Sequence, residues 1–99
     1  MNHRFHPDAL RELREAVEYY RGISPEVVAD FTLETARLVH EVCQHPQVFR
    51  QFDPPDRRHF STRFPYGPIY LIEPDGVWIV AVMPLKREPG YWKQRLTPP

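Results

Sequence analysis

Residues 63–95, RFPYGPIYLIEPDGVWIVAVMPLKREPGYWKQR, decide the fold. Ile69 to Glu73 and Val77 to Met83 are two short apolar runs, and Pro74, Asp75 and Gly76 between them predict a three-residue hairpin loop with glycine available for a left-handed conformation. The second run, VWIVAVM, has the composition of a central strand covered on both sides. Lys86, Arg87, Tyr91, Trp92, Lys93 and Arg95 follow it. Cations beside large aromatics at the end of a small sheet suit a surface that grips a macromolecule, because a guanidinium offers a planar fork and stacks on rings.

Upstream, Arg58, Phe60, Thr62 and Phe64 alternate with Arg57, His59, Ser61 and Arg63, which predicts a half-buried strand with its phenylalanines inward and its basic residues outward. Pro65 to Pro68 interrupts it before Ile69. Residues 46–56, PQVFRQFDPPD, hold three prolines and no sustained period, and read as an irregular connection. A short strand around His3 to Phe5 rests on little more than Phe5.

The N-terminal half carries a different period. From Pro7 to Arg21, Ala9, Leu10, Leu13, Ala16, Val17 and Tyr20 recur at steps of three and four, the spacing of one helical face. Pro7 and Asp8 suit a first turn, and Gly22 followed by Ile23 predicts a left-handed stop. Ser24, Pro25 and Glu26 start a second helix that runs to about His45, where Pro46 ends it. Its apolar stripe is Val28, Phe31, Leu38 and Val42, and the single cysteine, Cys43, falls beside it as core filler. With so short a link the helices fold back as an antiparallel hairpin. The expected architecture is α+β: this hairpin packed on a small, mainly antiparallel sheet, with residues 1–99 forming one domain.

Composition bounds the function. The formal net charge is zero, which disfavours a protein that coats nucleic acid without specificity. The average hides a split: residues 1–56 carry six Lys and Arg against ten Asp and Glu, and residues 57–99 carry seven against three. Either the two layers simply keep the surface charged, or the basic half faces an anionic partner. No apolar run is long enough to span a bilayer and the start, MNHRFHPDALRE, lacks the apolar region of a signal peptide, so the expected location is the cytoplasm.

Taken in order, HPDALRELREAVEYY, SPEVVADF, RRHFSTRFPYGPIYLIEPDGVWIVAVM and REPGYWKQR resemble the opening helix, second helix, sheet and ending of the RelE/ParE superfamily, the toxins of type II toxin-antitoxin modules. The resemblance covers nearly the whole chain. It implies a compact α+β domain held inactive by a small cognate antitoxin in a toxin-antitoxin hetero-oligomer. ParE-like members are associated with inhibition of DNA gyrase and RelE-like members with cleavage of mRNA on the ribosome. Relatives often carry a histidine after the last strand, in a pattern like AVAH; here AVMP places Pro84 there.

RNA cleavage by a 2′-hydroxyl needs a base, an acid and cations for the crowded phosphate. The candidates for catalysis or target binding are Arg63, Lys86, Arg87, Tyr91 and Arg95, with His59 more remote. Without the histidine the catalytic set is incomplete, and the alternative is that Tyr91 and Trp92 pack the tail onto the sheet. The expected function is therefore a toxin that inhibits gyrase by binding, with a ribosome-dependent ribonuclease or a non-toxic antitoxin-binding module as alternatives. Leu13, Val17 and Tyr20 are the candidates for antitoxin docking, although their spacing fits closed core equally well. Neither cofactor nor metal is expected: His3, His6, His40 and His45 have no paired cysteines or acidic ligands at metal spacing, and no Ser/His/Asp arrangement, Walker loop or GxGxxG occurs. Glu12, Glu15, Glu18, Glu34 and Glu41 read as exposed helix-face acids with arginines nearby.

Overall fold

The computed structural model describes residues 1–85 and 90–96, with the side chains at 52 and 53 left aside. Strand β1 is His3–Phe5, helices α1 and α2 are Pro7–Arg21 and Pro25–Gln44, and β2 to β5 are Gln51–Asp53, Asp56–Arg58, Tyr66–Glu73 and Gly76–Pro84. The strands form one sheet in the order β1-β5-β4-β3-β2. β1 runs parallel to β5 and the other neighbours are antiparallel, so the sheet is mixed, and β5 lies inside it between β1 and β4. Among the described residues no helix is long and apolar enough to cross a membrane.

Both helices start where their caps dictate. The His6 ring Nδ1 accepts the Asp8 N–H at 3.0 Å ahead of α1, and Ser24 Oγ accepts the Val27 N–H at 3.0 Å ahead of α2. Gly22 departs from the expected left-handed stop: its φ is −67° and ψ −18°, because Ser24 needs the chain to turn straight into the next helix. Ala9, Val39 and Val42 then pack on Tyr70, Ile79 and Val82 of the sheet, while Tyr20 and Phe31 meet Phe64 and Tyr66 at the hairpin's end. Cys43 is buried in the first of these clusters, and burial raises its thiol pKa.

Three readings of the sheet are corrected. Residues 46–56 are not wholly irregular: β2 and β3 form a small hairpin whose turn holds a cis Pro54–Pro55 bond. The turn after β4 has two residues, since Glu73 pairs with Gly76, and Gly76 itself opens β5 at a φ of +154°. Gly76 is needed there because a Cβ would strike the Asn2 carbonyl as β1 passes.

The third correction concerns residues 59–65, which are not a strand. Ser61 Oγ accepts the N–H groups of Arg63 and Phe64 at 2.9 and 3.1 Å, and so takes donors that a ladder would need. The alternation is nevertheless used. His59 meets Glu41 at 2.7 Å, Ser61 donates to Glu34 at 2.5 Å, and Arg63 pairs with Asp30 at 3.2 Å. Asp30, Glu34 and Glu41, four and seven residues apart, lie along one face of α2, so a single acidic stripe meets alternate loop residues. The polar side of the loop therefore faces a helix, and the phenylalanines part company. Phe64 enters the helix-side core, whereas Phe60 packs with the cluster on the opposite face of the sheet. Pro68 is accommodated inside β4 because its carbonyl, which accepts the His59 N–H at 3.2 Å, and its donorless nitrogen face away from β5.

Candidate functional site

The sheet face turned away from the helices carries Ile69, Val80, Ala81 and Met83, and a C-terminal strap, residues 90–96, covers it. Gly90, at φ +91°, turns the chain, and a short 3-10 helix at Lys93–Leu96 ends the described part of the strap. Trp92 has no exposed surface. Its indole N–H donates to Asp56 Oδ2 at 2.8 Å, and Lys93 Nζ lies 3.0 Å from the same oxygen. Asp56 is itself wholly buried, so strap and β3 are pinned through one desolvated carboxylate.

The second anchor is a clamp across the whole chain. Arg95 Nη1 and Nη2 donate to Glu12 Oε1 and Oε2 of α1 at 2.9 and 3.0 Å, a bidentate pair with side-chain exposures of 10% and 11%. Burial acts to lower the arginine's pKa, but the hydrogen bonds and charge of Glu12, with Tyr91 and Asp8, outweigh it and leave it raised.

The local backbone explains why the clamp sits there. Ile69 pairs with Ala81 and Tyr70 with Ile79, which leaves Val80 as an extra residue in β5. This bulge lies just past the end of β1 and turns backbone groups outward. Arg95 Nη1 takes the Val80 carbonyl at 2.9 Å, and Glu12 Oε1 takes the Val82 N–H at 3.0 Å. Acid and base together close the open edge of the central strand.

The candidate residues are thus divided. Tyr91 and Arg95 come together, the guanidinium lying 5.1 Å from the ring centroid. Arg63 stands on the α2 stripe, paired with Asp30 and stacked over Phe64 at 5.7 Å, apart from the Arg95 clamp. Lys86 and Arg87 lie outside the described residues. His59 is committed to Glu41 and stacks on Phe49 at 3.8 Å between ring centroids. Two acids read as ordinary and exposed are neither: Glu12 holds the clamp, and Glu34, 5% exposed, accepts from both Arg37 and Ser61. Those bonds hold the Glu34 carboxyl down at about 2. Helical periodicity showed only that a glutamate had an arginine nearby, and the distant partners had no signal in local spacing.

Acids of the first half meet cations of the second within the molecule, through the enclosed Glu12–Arg95 and Asp56–Lys93 pairs and, at the surface, Asp30–Arg63. A separate opening lies on the helix side. Leu13 and Val17 of α1, Ala36 and Val39 of α2 and Phe5 of β1 line an open groove of about 540 Å³, with His3 and His40 also on its wall. Tyr20 is not among its lining residues; it is 6% exposed and packs 4.7 Å from Phe31, centroid to centroid. Among the described residues no group of three or more His, Cys, Asp or Glu could hold a metal ion.

The family model of the ParE toxin of type II toxin-antitoxin system, parDE, matches residues 3–89, from β1 past the end of β5. No curated protein matches the chain. The matched span contains both helices, the whole sheet and the acidic half of the clamp, with Arg95 beyond it, and it implies an antitoxin partner. The chain belongs to the ParE toxin family of type II toxin-antitoxin systems.

Proposed function

We propose that this toxin, residues 1–99 acting as one cytoplasmic domain, inhibits DNA gyrase by binding it, without chemistry of its own. The observation that carries the reading is the closure of the Tyr91–Arg95 pair. An arginine that stabilises a transition state must be open to the phosphate on which charge develops. Arg95 is 10% exposed, with both terminal nitrogens engaged by Glu12 and the Val80 carbonyl, and the Tyr91 hydroxyl is buried. Pro84, in the place where relatives often carry a histidine, supplies no proton carrier. Target contact then falls to cations outside the clamp, with Lys86, Arg87 and Arg63 as candidates, while Tyr91 and Arg95 hold the strap to the sheet. The antitoxin occupies the groove lined by Leu13 and Val17, consistent with an amphipathic segment laying its apolar side into an apolar cleft.

Purified toxin should inhibit gyrase supercoiling and leave ribosome-bound mRNA intact. Cut mRNA with supercoiling unaffected would establish the ribonuclease reading instead, and unimpaired growth during soluble expression would leave an inert antitoxin-binding module.

A further inference from the structure

We propose that Ser61 is a positioning residue for Arg63: its hydroxyl, fixed by Glu34, sets the turn that presents the guanidinium to the target. This rests on the reading above that Arg63 contacts the target. A serine hydroxyl has one donor and two acceptor sites. Ser61 uses all three, donating to Glu34 Oε2 at 2.5 Å and accepting the N–H groups of Arg63 and Phe64 at 2.9 and 3.1 Å. Its own N–H donates to the Tyr66 carbonyl at 3.0 Å, and the Tyr66 N–H donates to the Phe64 carbonyl at 2.8 Å. Residues 61–66 therefore close as one turn that carries the exposed Arg63.

The carboxylate that orients the hydroxyl is itself held. Glu34 is 5% exposed and takes Arg37 Nε and Nη2 at 2.7 and 2.9 Å, so the oxygen that meets Ser61 has a fixed place on α2. The Phe64 ring lies 5.7 Å from the Arg63 guanidinium, and Tyr20 and Phe31 hold that ring edge-on at 5.2 and 5.3 Å. Backbone and ring are thus both tied to the helix hairpin, while the Arg63 side chain stays 57% exposed. An open guanidinium on an ordered base suits an interface, because little ordering is left to be done on binding. The Asp30 contact at 3.2 Å joins two side chains that are both more than half exposed, so it holds Arg63 weakly and leaves it able to turn to the target.

The competing view is that Ser61 only stabilises its loop, and a double-variant cycle separates the two. Ser61→Ala and Arg63→Ala should each weaken affinity for purified gyrase at least tenfold. The double variant should bind within twofold of Arg63→Ala, since without the guanidinium nothing is left to position. Ser61→Thr, which keeps the hydroxyl, should bind within threefold of wild type, and so should Asp30→Asn. Amide exchange of the full chain should show the Arg63 and Phe64 N–H groups at least tenfold faster in Ser61→Ala and unchanged in Asp30→Asn. Ser61→Cys, a weaker acceptor of similar shape, takes the place of Ser61→Ala if that variant does not fold. Losses that multiply in the double variant, a Ser61→Thr or Asp30→Asn protein as weak as Ser61→Ala, or Ser61→Ala with wild-type exchange or wild-type affinity would each overturn the proposal. Undiminished affinity in Arg63→Ala would instead overturn the reading that Arg63 contacts the target. Growth arrest by wild type without affinity for gyrase would overturn the gyrase reading, and the same cycle scored by growth arrest then decides the role of Ser61.

Discussion

Trp92 and Asp56 meet with no exposed surface on either residue, the indole N–H 2.8 Å from a carboxylate oxygen that also lies 3.0 Å from Lys93 Nζ. A buried carboxylate is stabilising only while its donors remain, so removing either partner exposes the full desolvation penalty of the other. The pair is both the centre of the far-face core and the first anchor of the strap.

Trp92→Phe should therefore destabilise by more than the lost hydrogen bond. The smaller ring fills only part of the cluster, and Asp56 keeps Lys93 but loses the indole, at about 1–3 kcal/mol for the hydrogen bond alone. Asp56→Ala removes the acceptor and leaves the indole N–H buried. Both should lower the urea midpoint with an unchanged m-value, and the double variant should cost less than the two singles together. Strict additivity would show that the two side chains do not act as a unit.

The fold was legible where short-range rules act alone. Pro7, Ser24 and Pro25 set the helix starts, and VWIVAVM announced a central strand, because caps and apolar runs report on neighbouring residues. The 59–65 segment misled for a physical reason: period two shows that alternate residues face opposite ways, and says nothing of what lies on each side. Its polar side faced α2, and Ser61 unmade the ladder. At the site, the YW…R ending marked a strap whose Tyr91 and Trp92 pack onto the sheet. That Arg95 reaches Glu12 was invisible, since 83 residues separate them and the bulge at Val80 that turns the backbone outward leaves no local pattern.

Glu34 makes stability depend on acid. Its carboxyl is held at about 2 by the hydrogen bonds of Arg37 and Ser61, below the ordinary 4.5 expected in the unfolded chain. A depressed folded pKa means that the unfolded chain binds the proton first. The contribution is present above about 4.5 and is lost progressively as pH falls toward 2. Urea midpoints should therefore drop as the pH is lowered through that window, and Glu34→Gln should remove part of the slope while costing stability at neutral pH. A Glu34→Gln profile parallel to wild type between these pH values would refute the assignment.

The last prediction separates groove from core on α1. Leu13 and Val17 line the open groove, whereas Tyr20, two turns along from Leu13, is enclosed by Phe31, Phe64 and Tyr66. Truncating Tyr20 empties a space that rigid aromatics on two elements cannot refill, so Tyr20→Ala should cost about 3–5 kcal/mol in unfolding. Val17→Ala removes two methyl groups at a partly covered wall, and stability should fall by about 1 kcal/mol or less. Affinity for the antitoxin should show the opposite order. Leu13→Ala and Val17→Ala should weaken association at least tenfold, measured by titration calorimetry with the cognate antitoxin. Tyr20→Phe, which keeps the ring, should leave binding unchanged. Tight binding by a folded Leu13→Ala, Val17→Ala double variant would place the antitoxin elsewhere on the toxin.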